Sequence, residues 1–119
     1  MELQLFETAS GSVAVLIGEK SVINTIRDAL DMMGHADYIG ARSIIIYEHQ
    51  LAKEFFNLRS GFAGEILQKF SNYQMKLAIV GDFDRYESNA LQAFIIECNR
   101  GNRIFFVKDK TEAIEKLDQ

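Results

Sequence analysis

Apolar residues are distributed along this chain in two rhythms: short runs, alternating or unbroken, and stripes spaced three and four apart. Leu3-Gln4-Leu5-Phe6-Glu7 alternates weakly and Val13-Ala14-Val15-Leu16-Ile17 is continuous, with Ser10-Gly11-Ser12 between them. Two strands joined as a hairpin are predicted. Ile23, Ile26, Leu30 and Met33 then recur at helical spacing. Ser21 reads as the N-cap of that helix and Gly34 as the left-handed residue that ends it. Ser43-Ile44-Ile45-Ile46-Tyr47 is β-branched and too short for a helix, which predicts a buried central strand.

Gln50 to Asn57 fits no single period and reads as a helical turn plus a loop carrying Phe55 and Phe56. Ser60 is a second N-cap, ahead of Ala63, Ile66, Leu67 and Phe70 on one helical face. Met75 to Val80 is the next strand, stopped by Gly81-Asp82. Ser88 caps a helix striped by Leu91, Phe94, Ile95 and Cys98, with Gly101 as terminator. Arg103 to Val107 is the last strand, and Thr111 to Leu117 a short closing helix. Strands and helices alternate from the third strand onward, the pattern of right-handed crossovers and a parallel sheet. The expected fold is α/β (α+β): a single mixed, mostly parallel sheet of about five strands, with a front hairpin and about four helices. No linker, repeat or low-complexity tract divides the chain, so residues 1–119 are expected to form one domain.

Composition adds exclusions. The 119 residues carry 48% apolar side chains and a net charge of −4, ordinary for a globular chain. Cys98 is the single cysteine, so no disulfide can form within the chain. There is no apolar run near the ~20 residues of a membrane helix and no basic-then-apolar leader, so a cytoplasmic location is expected. Residues 1–58 hold four basic groups (Lys20, Arg27, Arg42, Lys53) against eight acidic ones, whereas residues 59–119 are balanced. No basic cluster is present to displace counterions from phosphates, and neither nucleic acid nor a membrane surface is an expected partner.

The candidate chemistry is sparse. Cys98 falls on the core stripe of its helix, where a thiol is a small apolar side chain with a raised pKa. His35 and His49 are the only imidazoles and have no companions at ligand spacing, so no metal site is expected. Ser60-Gly61-Phe62-Ala63-Gly64 opens a helix beside Arg59 but lacks the Lys-Ser/Thr pair of a phosphate loop. A phosphate on Ser60 would gain from the helix dipole. Glu48 and His49 follow one strand, and Asp82, Asp84, Arg85 and Tyr86 follow the next. Carboxyl ends of parallel strands share one rim, so Glu48, His49 and Asp82 converge if the two strands are neighbours. No catalytic residue and no cofactor is assigned.

The stretch Phe55-Phe56-Asn57-Leu58-Arg59-Ser60-Gly61-Phe62-Ala63-Gly64-Glu65-Ile66-Leu67-Gln68-Lys69-Phe70, then Asn72-Tyr73 and Leu77 to Asp82, resembles domain-of-unknown-function family 4180. Glu97-Cys98-Asn99-Arg100-Gly101 and Phe105-Phe106-Val107 fit the same family. That resemblance implies a bacterial source and brings no assigned activity. At the level of fold the chain is similar to anti-sigma-factor-antagonist (STAS) domains, which also place an early strand pair before β/α alternation. Their switch loop reads Asp-Ser-Ser/Thr-Gly. Aligned on Gly61, this chain has Leu58-Arg59-Ser60-Gly61, so Ser60 matches the second hydroxyl position and Arg59 replaces the phosphorylated serine.

Two function classes follow. One is a non-enzymatic protein-interaction or regulatory module, with Phe55, Phe56, Arg59, Ser60 and Phe62 meeting a protein partner or a second copy, since aromatics beside a guanidinium are enriched in interface cores. The other is a small ligand-binding protein or enzyme using the rim around Glu48, His49 and Asp82.

Overall fold

The computed structural model describes residues 1–119. A hairpin of β1 (Glu2–Thr8) and β2 (Gly11–Ile17) opens the chain, paired antiparallel from Glu2↔Ile17 to Thr8↔Gly11. Gly11 turns the chain at φ +143°, a region that L side chains rarely enter. Then follow α1 (Ile26–Tyr38), β3 (Ser43–Tyr47), α2 (Phe62–Asn72), β4 (Lys76–Val80), α3 (Asn89–Arg100), β5 (Ile104–Val107) and α4 (Lys110–Leu117). The five strands form one mixed sheet in the order β1-β2-β3-β4-β5, parallel from β2 to β5. This is the α/β class expected, with the hairpin as its antiparallel edge.

Strand order follows chain order, and that decides where the helices go. Right-handed crossovers stepping always in one direction put α1, α2 and α3 on the same face. Ala29, Met32, Ile66, Phe70, Leu91 and Ile95 of those helices share one core with Leu16, Ile44, Ile46, Leu77, Ile79 and Phe106. The alternate strand residues Val13, Val15, Ile45, Ala78, Phe105 and Val107 form a second, smaller core beneath Ala113 and Leu117 of α4. Both faces of β3 to β5 are therefore covered, which is why those strands read as unbroken apolar runs. The C-terminal helix is latched to the hairpin turn, where Asp118 Oδ1 accepts from Ser10 N at 2.9 Å and from Ser10 Oγ at 2.5 Å. Those bonds hold the Asp118 carboxyl below its ordinary pKa. No helix is long and apolar enough to cross a membrane.

Both ends of α1 differ from expectation. The first helix is capped by Thr25, not Ser21: Thr25 Oγ1 accepts from Asp28 N at 3.1 Å and Asp28 Oδ2 accepts from Thr25 N at 3.1 Å. This reciprocal box satisfies two otherwise unpaired donors. A start near Ser21 is blocked because Ile23 is held in a parallel bridge to Leu51, its carbonyl accepting from Ala52 N at 3.0 Å rather than from a residue one helical turn on. Gly34 does not end α1 but lies in its interior, and Gly40 at φ +95° follows the true terminus.

Candidate functional site

The sheet never reverses strand order, so it lacks the crevice that opens where neighbouring crossovers diverge to opposite faces. A cleft forms instead between two loops at the carboxyl ends of β3 and β4. The longer one, from β3 to α2, is built of three 3₁₀ turns, Glu48–Gln50, Lys53–Phe56 and Leu58–Ser60. Its anchor is Gln50, the one buried polar residue (1% exposed). The Gln50 amide donates to Leu16 O at 3.0 Å and Gly18 O at 2.9 Å, and its Oε1 accepts from Tyr47 N at 2.8 Å. Every polar atom of the side chain that burial strips of water thereby gains a partner. The segment after β2 is bridged to the same loop at Ile23 and Leu51, which brings Ser21 to the cleft.

Glu48 is the polar centre of this rim. Its carboxylate accepts from Arg85 Nη2 and from the Tyr86 hydroxyl through Oε2, and from Asp82 N at 3.2 Å through Oε1. The Arg85 guanidinium lies over the Tyr86 ring, 4.6 Å from its centroid. Tyr86 stacks on Phe56 with centroids 5.2 Å apart and planes 18° from parallel, and Phe83 continues the stack. Burial, and then the hydrogen bond to Glu48, pushes the Tyr86 phenol up to about 12. At neutral pH its hydroxyl is therefore a donor, held toward Glu48. The cleft between these groups has a volume of about 680 Å³, with Tyr47, Lys53 and Phe56 among its walls.

The β3 and β4 ends are adjacent, and Glu48, His49 and Asp82 share one rim as the strand-end argument requires. They do not form a carboxylate–imidazole cluster. Asp82 meets Glu48 through its backbone N–H, and its side chain is exposed on the far side of Gly81, facing a second depression with Lys108. His49 lines the cleft, its Nε2 3.2 Å from Gly18 O. Arg85 and Tyr86 complete the group that the sequence centres on Glu48, His49 and Asp82. Their signal is the same strand-end position, in the loop that Gly81 and Asp82 open after β4.

The corner expected to present aromatics is largely closed. Phe55 is fully buried (0% exposed), packed edge-on against Phe56 and Phe62 at 5.1 and 6.5 Å. Phe56 and Phe62 are half-buried against the helix-side core. These turns roll the aromatic side chains inward because the loop must roof the open end of that core. Arg59 and Ser60 remain exposed. Ser60 Oγ donates to Glu54 O at 2.7 Å and accepts from Phe62 N at 3.2 Å, so it stabilises the start of α2 although Gly61 holds the cap position. Cys98 is half-buried on α3, and burial followed by the Glu97 charge pushes its thiol up to about 11. No three histidine, cysteine or carboxylate side chains are gathered at metal-binding distance.

Comparison with known proteins agrees with the motif likeness. The family profile described as "Domain of unknown function (DUF4180)" matches residues 8–117, nearly the whole chain. No curated protein and no solved structure matches it. The chain belongs to the DUF4180 family.

Proposed function

We propose that this chain is a non-enzymatic, regulatory binding module whose ligand is a small molecule held in the rim cleft. One observation carries the reading: a cleft of about 680 Å³ at the carboxyl ends of β3 and β4, walled by aromatic rings with a few convergent polar groups. Small-molecule pockets have that size, roughly 300–1,000 Å³, and that mixture of linings.

The state of the polar groups favours binding over turnover. Glu48 already accepts from three donors, Asp82 N, Arg85 and Tyr86, which occupies most of the acceptor sites of its carboxylate. Tyr86 is held as a neutral donor. The Cys98 thiol, at about 11, is protonated at neutral pH and no nucleophile.

A protein partner or self-association at the Arg59 corner is the competing reading. Its support is the exposure of Arg59 and Ser60, while the aromatic area that would carry affinity faces inward. The STAS-like comparison and a cytoplasmic site of action belong to the same proposal; the early strand pair followed by β/α alternation supports the first.

Amide chemical shifts of the full chain, recorded against a library of small fragments, test the proposal. Perturbations gathered on residues 47–56 and 81–86 are expected. Fragments that leave those amides unmoved, together with a partner lost from pull-downs on Arg59→Ala, would overturn it in favour of the interaction surface.

A further inference from the structure

Resting on the reading of the rim cleft as a ligand site, we infer that its ligand is a flat organic acid, the anion met by Lys53 and Arg85 and the ring by Tyr47, Phe56 and Tyr86. The cleft's charges are Lys53, Arg85 and Glu48, and the negative one is spent. The Glu48 side chain is only 13% exposed, against 57% for Arg85. Arg85 uses Nη2 alone, for Glu48 and for the Tyr86 hydroxyl at 3.3 Å. A guanidinium carries five N–H donors, so the Nε–H and the two Nη1 N–H groups, which point in separate directions, have no protein partner. Lys53 is exposed and takes part in none of the ion pairs, which involve Arg27, Arg42, Arg85 and Arg100. The cleft thus offers free cationic donors and no free carboxylate.

With Glu48 paired to Arg85, the unpaired charge of the cleft lining is the cation of Lys53, and a cleft whose free charge has one sign concentrates ligands of the other. A carboxylate that accepts from Arg85 Nη1 keeps the Glu48 pair, made through Nη2, intact. An ammonium ligand would face Lys53 and Arg85 and find Glu48 already paired with Arg85 and Tyr86. The flat body follows from the walls, because aromatic rings give their best contact to planar partners, edge-on where a face is already covered as in Tyr86.

The test uses matched acid, amide and amine forms of benzene, naphthalene and indole scaffolds, titrated into the full chain and read by amide shifts at the cleft. The acid is expected to bind about tenfold tighter than its amide, the worth of one charge-assisted hydrogen bond. That advantage is expected to vanish in Lys53→Gln or Arg85→Gln. Lys53→Gln is the cleaner variant, since Lys53 supports nothing else in the fold. Equal binding of the three forms, or preference for the amine, overturns the acid inference and leaves the cleft as a ligand site. No shift at the cleft from any member overturns both.

Discussion

Gly81 lies directly beneath Glu48: a β-carbon at position 81 would stand 2.6 Å from Glu48 Oε1 and 2.7 Å from Glu48 Cβ. The carboxylate that organises the rim occupies the space a side chain would need. Gly81→Ala is therefore expected to cost about 1–3 kcal/mol in denaturant unfolding, the usual penalty of overpacking. It is also expected to push Glu48 off the Asp82 N–H, shifting the Asp82 amide resonance. An unchanged Asp82 shift would mean that Glu48 is not held there.

Gly34 gives the opposite expectation. It lies inside α1 on the exposed side, with nothing within 4 Å of an added β-carbon. Gly34→Ala should stabilise the protein by about 0.5–1 kcal/mol, the difference between these residues in a helix interior. Had Gly34 ended the helix in a left-handed turn, the same change would destabilise it, so the sign of the shift in unfolding midpoint decides.

Gln50→Leu keeps the bulk of the buried side chain and removes its polar end. Leu16 O and Tyr47 N would then lose their partner at the root of the cleft. Each buried group left unpaired costs about 1–3 kcal/mol. The expected result is a marked loss of stability, with faster hydrogen exchange at Tyr47. Wild-type stability would show that water replaces the amide at no cost.

Tyr86 sets an alkaline limit. Its folded pKa, about 12, lies above the ordinary value of 10.0, so folding favours the neutral phenol. The resulting stabilisation is complete below the ordinary value and is lost as pH rises from there through the folded one. Phenolate absorbance should show one of the four tyrosines titrating last, and Tyr86→Phe should remove that late step. The substitution also deletes the bond to Glu48, at a cost of about 1 kcal/mol for a partly exposed site.

The order of strands and helices is legible because each element carries its own period, from the apolar run Ile44-Ile45-Ile46 to the stripe of Ala63, Ile66 and Phe70. What is not legible depends on distant contacts. Gln50 gives no local sign that it will be buried, and nothing near Ile23 announces the bridge to Leu51 that takes its carbonyl and delays α1 to Thr25. Phe55, Phe56 and Phe62 sit in 3₁₀ turns and a helix start too short to show a face, so their inward packing cannot be read from spacing. The rim follows from strand ends alone. Which of its side chains pair does not, since Glu48 chooses Arg85 and Tyr86 across 37 and 38 residues of chain.

A crystal of the full chain soaked with the tightest flat acid of the matched sets tests the central claim most directly. The account requires its ring against Phe56 or Tyr86, and its carboxylate within hydrogen-bond reach of Lys53 Nζ or of Arg85 Nε or Nη1. An acid seated elsewhere, with the cleft between the β3 and β4 loops left to solvent, would contradict it.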